Sequence, residues 1–248
     1  MIIIKSEQEI DMMRTAGQVT AQILRDLEGF IKPGISTKDI DRFVEEQIRA
    51  KDMIPSFKGL YGFPASACVS INDEVVHGIP AKKRKLREGD IVSVDIGATY
   101  KGYVSDAART YPVGKIDPEA QRLIDAARDS FFEGLKFCKV GYRLSDISHA
   151  IQQKVESEGF GVIRDFVGHG VGRSMHEEPQ IPNYGVPGRG PRLARGMVFA
   201  IEPMITQGDY EVETLLDDWT VVTLDGTLAA HYENTVVITD GEPELLTL

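Results

Sequence analysis

The 248-residue chain is 42% hydrophobic and 27% charged, a balance that supports a buried core and excludes a disordered polyelectrolyte, while its length admits one large α/β domain or two small ones. A formal net charge of −10 excludes DNA as the principal partner, since nucleic-acid binding needs a basic surface, and Cys68 and Cys138 supply neither a disulfide framework nor zinc-finger spacing. Only three isoleucines, Ile2 to Ile4, stand together before charge intervenes, and no later apolar run reaches the roughly 20 residues of a membrane span, so a cytoplasmic chain without membrane attachment is expected.

The first element is a helix over Glu7 to Phe30, with Ile10, Met13, Val19, Ile23 and Leu27 near the helical period and Lys32-Pro33-Gly34 as the stop. A second helix starts from a Ser36 or Thr37 cap and carries Ile40, Phe43, Val44 and Ile48. Glycine-punctuated β-rich runs follow at Ala67 to Ile71, Asp90 to Ala98 and Tyr103 to Val113. Asp117 to Lys139 and Leu144 to Ser157 read as helices; Met197 to Thr206, Trp219 to Thr223 and Ala229 to Thr239 read as strands.

The order helices, strands, helices, strands suggests an internal duplication. A constant offset of 107 residues relates Gly34 to Gly141, Asp39-Ile40 to Asp146-Ile147, Gly89 to Gly196 and Asp95 to Glu202. Extra residues after Thr206 break that register, and beyond them Asp106 corresponds to Glu233 and Gly114 to Gly241. We therefore expect one catalytic domain over residues 1–248, built from halves of approximately 1–115 and 116–248 that face each other across a cleft.

Most of the 38 acidic residues belong on a solvated surface, but four do not fit there. Asp95 lies in Ile91-Val92-Ser93-Val94-Asp95-Ile96 and Glu202 in Val198-Phe199-Ala200-Ile201-Glu202-Pro203; Asp106 and Glu233 adjoin Tyr103-Val104-Ser105 and Thr235-Val236-Val237-Ile238. A carboxylate buried in such a strand is costly unless paired, protonated or bound to metal. An antiparallel hairpin turning near Tyr100-Lys101 would place Asp95 and Asp106 directly opposite on one face, where like charges destabilise a sheet unless a cation lies between them. Four clustered carboxylates would raise one another's pKa. Two divalent ions about 3.5–4 Å apart would satisfy them and supply a nucleophile for hydrolysis.

His169, in Val167-Gly168-His169-Gly170-Val171-Gly172, is flanked by glycines that would let the backbone turn tightly and approach a ligand. A lone histidine is more often structural, but beside four carboxylates it is a credible fifth ligand. One imidazole among oxygens suits manganese, iron(II), cobalt or zinc rather than copper(I), and differs from a closed structural zinc site.

Along essentially its whole length the chain resembles the bacterial type I methionine aminopeptidases. The resemblance rests on Asn72-Asp73-Glu74-Val75-Val76-His77-Gly78-Ile79-Pro80, Ser93-Val94-Asp95-Ile96-Gly97, Val167 to Gly172, Phe199-Ala200-Ile201-Glu202-Pro203 and Tyr232-Glu233-Asn234-Thr235. It implies the pseudo-twofold α/β "pita-bread" fold, with Asp95, Asp106, His169, Glu202 and Glu233 as ligands of two divalent ions and Asp106 and Glu233 bridging. It also implies that His77 contacts substrate near the scissile peptide, that His176 donates to the substrate carbonyl oxygen, and that Glu202 shuttles a proton. Without the motif around it, His77 would read as a loop or capping residue. The methionine pocket falls by resemblance on Phe57, Phe63, Cys68, Met175 and Trp219, soft or aromatic residues suited to a thioether. Departures occur at Phe57 and Phe63, where cysteine and tyrosine are common, and at His231, where glutamine is common. His231 shares strand parity with Glu233 and is expected to face the site, with a structural role equally compatible.

The implied activity is removal of the initiator methionine from nascent polypeptides with a small second residue. The nearest alternative is a prolidase or aminopeptidase P of the same fold, which usually carries an extra N-terminal domain, whereas the first helical pair here begins within ten residues of Met1. Type II enzymes usually carry an insertion where only 31 positions separate Glu202 from Glu233. A catalytically dead peptide-binding module would not need all five ligands. The basic run Lys82 to Lys85 with Arg87 reads first as a solvated loop and second as a transient ribosome contact. Nothing in the sequence calls for an oligomer, so a monomer is expected.

Overall fold

A computed structural model describes all of residues 1–248. It opens with α1 (Glu7–Phe30) and α2 (Thr37–Arg49), each started by a capping box, Ser6 with Glu9 and Ser36 with Asp39, which satisfies amides that the first turn leaves free. Strands β1 (Ile54–Pro55), β2 (Ala67–Ile71), β3 (Glu74–Val76), β4 (Ile91–Tyr100) and β5 (Tyr103–Pro112) follow. Then come α3 (Pro118–Leu135) and α4 (Leu144–Ser157). The rest of the chain is β6 (Gly161–Val162), β7 (Gly168–Gly170), β8 (Glu177–Ile181), β9 (Val198–Ile201), β10 (Met204–Thr206), β11 (Val212–Thr214), β12 (Val221–Thr223), β13 (Ala229–His231), β14 (Asn234–Val237) and β15 (Glu244–Leu245).

Four antiparallel sheets result. β4 pairs with β5 along one edge and with β2 and then β1 along the other; the remaining sheets run β13-β10-β6, β11-β12-β3 and β15-β14-β9-β7-β8. Val69, Val92, Val94 and Ile96 bury against Leu24, Leu27, Ile40 and Val44 of α1 and α2. Phe199, Ile201, Ile205 and Val236 bury likewise against Leu123, Phe131, Ile147 and Ile151 of α3 and α4. A third apolar cluster, holding Phe57, Phe63, Cys68 and Met175, lies between the helix-backed layers.

Several expected elements have different limits. The strand expected over Met197 to Thr206 is two strands parted at Glu202-Pro203, and that expected over Ala229 to Thr239 is two parted at Tyr232-Glu233. The pairs Ile201↔Asn234 and Met204↔His231 keep one register across the gap, so Glu202 and Glu233 stand opposite each other where Pro203 can donate no ladder hydrogen bond. Trp219 and Thr220 are not in a strand, because both amides donate to the Asp217 carboxylate at 2.9 and 2.8 Å. The third helix stops at Leu135, where the Phe137 and Cys138 amides bond back to Gly134 and Leu135 in tighter turns.

The β4–β5 register also differs from expectation. Its turn is centred on Lys101-Gly102, both with positive φ (49° and 82°), the two-residue geometry that matches strand twist. Asp95 therefore pairs with Ala108 and Asp106 with Gly97. The two aspartates share a face as diagonal rather than direct neighbours.

Candidate metal centre

The β4–β5 hairpin supplies Asp95 and Asp106, and the second half of the chain holds that hairpin from the side. The Asp106 amide donates to Thr235 Oγ1 at 3.0 Å while that hydroxyl donates to the Asp106 carbonyl at 2.8 Å. The Glu233 amide donates to the Ala108 carbonyl at 3.0 Å. Arg109 reaches across to the Glu233 carbonyl and to Asn234 Oδ1. These bonds bring Asp106, 3% exposed, and Glu233, 1% exposed, into one buried floor.

His169 enters from β7, between β8 and β9. Its flanking glycines act otherwise than expected: neither has positive φ. A Cβ on Gly168 would stand 2.5 Å from the Ala200 carbonyl oxygen and one on Gly170 2.2 Å from that of Glu178. The glycines therefore let strands close tightly around His169. Its Nδ1 bonds the Gly170 carbonyl at 2.9 Å, which leaves Nε2 to face the carboxylates. Nε2 lies 3.4 Å from Glu202 Oε1 and 3.6 Å from Asp106 Oδ2. Ligand atoms bonded to one ion at about 2.0–2.2 Å in tetrahedral array are separated by roughly 3.3–3.6 Å. The spacing is one a coordination shell can accommodate.

Burial, reinforced by Asp106 and Glu202, pushes Asp95 well above the usual carboxylate range, and Glu233 rises for the same reasons. Burial opposes charge on His169, but Asp106 and Glu202 outweigh it and hold the imidazole at about 9. Seven buried side-chain atoms of the chain have no hydrogen-bond partner, and four of them, Asp95 Oδ1, Asp106 Oδ1, Glu233 Oε1 and His231 Nε2, converge here. Native interiors rarely leave such atoms unpaired. Two triads, Asp106-His169-Glu233 and Glu202-His231-Glu233, hold ligand atoms within 4.8 Å of one another. Asp95 belongs to neither triad, though it lines the same cavity. The donor set fits hard or borderline divalent cations.

Above the carboxylates lies a cavity of about 150 Å³ whose apolar wall includes Phe57, Phe63, Cys68 and Trp219. Phe63 and Trp219 meet edge to face at 5.0 Å. Met175 belongs to the same apolar cluster but does not line the cavity; its Cε lies 2.8 Å from where a Gly97 Cβ would stand. Tyr61 and Leu60 also line the cavity; the sequence reading passed over them because isolated aromatic and aliphatic residues carry no periodic signal. His176, at the open rim, stacks on Tyr61 at 5.8 Å and lies 4.5 Å from the His169 ring. His77 has φ of 61°, a strained state for a residue with a Cβ. Its ring is wedged edge-on between Phe166 and Trp219, and burial lowers its pKa. Pairing of β3 with β12, Val76 to Val221, brings His77 and Trp219 to one mouth. Lys5 and Glu177 were also missed: Lys5 Nζ bonds Glu177 Oε2 at 2.5 Å, and Glu177 Oε1 accepts from the Arg173 and Ser174 amides, bracing the loop that carries Met175 and His176.

The comparisons with known proteins agree with this geometry. A profile of metallopeptidase family M24 matches residues 11–240. The methionine aminopeptidase of Clostridium acetobutylicum is 58% identical over 248 residues, 100% of this chain and 99% of that protein. Methionine aminopeptidase 1 of Bacillus subtilis is 52% identical over 247 residues, with the same two coverages. The crystal structure of a methionine aminopeptidase from Thermotoga maritima superposes with a TM-score of 0.98 at 49% identity, covering 100% of this chain and 99% of that one.

Proposed function

The chain belongs to metallopeptidase family M24 and, within it, to the methionine aminopeptidases of pita-bread fold, and from that premise we propose that it removes the initiator methionine from nascent polypeptides whose second residue is small. The observation that carries this reading is the juxtaposition of unpaired carboxylate oxygens with a cavity of about 150 Å³ walled on one side by apolar residues. The offset of 107 residues and the paired helix-backed layers support one domain of two duplicated halves, 1–115 and 116–248.

Asp95, Asp106, His169, Glu202 and Glu233 would hold two divalent ions from the set manganese, iron, cobalt and zinc. When bound, the ions supply Lewis acidity and a nucleophile at neutral pH. The chain's own groups do the rest. Phe57, Phe63, Cys68 and Trp219 receive the methionine side chain and exclude water, with Met175 as backing. His77 faces the peptide next to the scissile bond, and His176, at the open rim, donates to the carbonyl oxygen as it gains charge. Glu202 is 13% exposed and takes a proton at one carboxylate oxygen for transfer to the leaving amine.

The setting is the cytoplasm. No helix is long and apolar enough to cross a membrane. The chain acts as a monomer; Lys82, Lys83, Lys85 and Arg87 are exposed, with transient ribosome contact as their lesser role, whereas Arg84 turns inward to the Ile79 carbonyl and Glu74 and Leu86 is buried, so the segment is not wholly a solvated loop.

Selectivity tests the reading. A pocket built on Phe63, Cys68 and Trp219 accepts an unbranched thioether and rejects β-branched side chains, so kcat/KM for Met-Ala-Ser should far exceed that for Val-Ala-Ser and Met-Phe-Ser, and acetyl-Met-Ala-Ser should be inert. Comparable values for the three free peptides would contradict it, and preference for a penultimate proline after any first residue would favour a proline-specific peptidase.

A further inference from the structure

His231 ends β13 and is 1% exposed. Its backbone is gripped on both sides by Thr110, whose Oγ1 accepts from the His231 amide and donates to the His231 carbonyl, each at 2.9 Å. Thr235 grips Asp106 in the same way. The backbone of His231 is thus held as that of Asp106 is, while the ring's buried Nε2 has no hydrogen-bond partner.

That nitrogen points at the centre. It lies 3.5 Å from Glu202 Oε2 and 3.7 Å from Glu233 Oε2. On the other side, His169 Nε2 lies 3.4 Å from Glu202 Oε1, so Glu202 turns one oxygen toward each imidazole. All of these separations exceed the usual 2.7–3.2 Å of an N–H···O bond. The separations of 3.4 and 3.5 Å are those of ligand edges about one ion, and that of 3.7 Å is slightly longer.

We propose that His231 is a metal ligand, forming with Glu202 Oε2 and Glu233 Oε2 a second nitrogen-bearing face of the centre. The proposal rests on the metal-binding reading above and adds an imidazole where glutamine is common in the family. Two nitrogen donors shift preference toward cobalt, iron(II) and zinc and away from manganese, which favours oxygen.

The test is proton NMR of the protein stripped of metal and reloaded with cobalt(II), in which each coordinated imidazole contributes one solvent-exchangeable, strongly shifted ring N–H resonance. The wild-type protein should show two such resonances, His231→Gln one, and His169→Ala should lose the other. Titration calorimetry should show His231→Gln weakening cobalt(II) or zinc by about tenfold or more and manganese by less. A single resonance in fully loaded wild type, unchanged in His231→Gln, overturns the proposal while leaving the metallopeptidase reading intact. If wild-type protein takes up no stoichiometric cobalt(II) and releases no methionine, that reading falls and this one with it.

Discussion

The two hairpins that supply the carboxylates are built differently. β4 and β5 are each ten residues long and pair without interruption from Ile91↔Pro112 to Tyr100↔Tyr103, so Asp95 and Asp106 ride on a continuous ladder and sit diagonally. The ribbon formed by β9 and β10 against β13 and β14 keeps register but opens at Glu202-Pro203 and Tyr232-Glu233, where two glutamates face each other. The same charge problem is met in one hairpin by offset and in the other by breaking the ladder. The continuous hairpin is a platform with backbone redundancy, whereas the interrupted one depends on cross-links to the other half, Thr235 to Asp106 and Thr110 to His231.

The largest effects should therefore fall on the interrupted side. Glu202→Gln, at the break in the ladder, and His169→Ala, on β7 where it pairs with β9 of that ribbon, are each expected to lower kcat/KM on Met-Ala-Ser by more than about 100-fold with the fold retained by circular dichroism, since each alters a proposed metal ligand. Near-normal turnover with metal bound would remove that residue from the mechanism.

Metal removal comes next. Burial and neighbouring carboxylates raise Asp95 and Glu233, and the balance of groups around His169 raises it to about 9. A raised group favours the metal-free fold below its unfolded pKa, about 4 for the carboxylates and 6.5 for histidine, and that stability is lost as pH rises through the folded value. Chelation should thus lower Tm more at pH 7.5 than at pH 5, and divalent ions should restore it. Identical melting curves with and without metal at pH 7.5 would count against the buried cluster.

Thr235→Val probes the cross-link itself. It leaves both backbone groups of Asp106 without their partner, which should cost about 1–3 kcal/mol in denaturant unfolding and weaken metal binding without touching any ligand. If stability and metal affinity both stay at the wild-type level, the two halves are not coupled through this hydroxyl. Gly102→Ala, in the turn of the continuous hairpin, forces a Cβ into a positive-φ site and should cost roughly 1–2 kcal/mol with kcat unchanged. A large loss of activity there would dissolve the distinction between platform and interrupted ribbon.

How much of this could be read from the sequence follows the same divide. The apolar period and the Lys32-Pro33-Gly34 stop marked the helix Glu7–Phe30 at its observed limits, and the helix read over Leu144–Ser157 also has the limits observed. The shared face of Asp95 and Asp106 was legible from strand parity, but their register was not, because it depends on the dihedrals of Lys101 and Gly102. The breaks at Pro203 and Tyr232 were hidden inside apolar runs that look continuous. Gly168 and Gly170 were read as turn residues because the carbonyls of Ala200 and Glu178 that crowd them are distant in the chain. Thr235 and Thr110 escaped notice for a related reason: a threonine in a β-rich run looks like strand propensity until its partner strand is in place.

The central claim is that the carboxylates and His169 assemble a metal centre on which hydrolysis depends. Its most direct test is methionine release from Met-Ala-Ser by metal-stripped protein titrated with cobalt(II) or manganese(II), with bound metal counted in the same samples. Release should be absent from the stripped protein and should rise in step with occupancy, reaching its plateau by two ions per chain; full release from stripped protein, or release that ignores occupancy, would contradict the account.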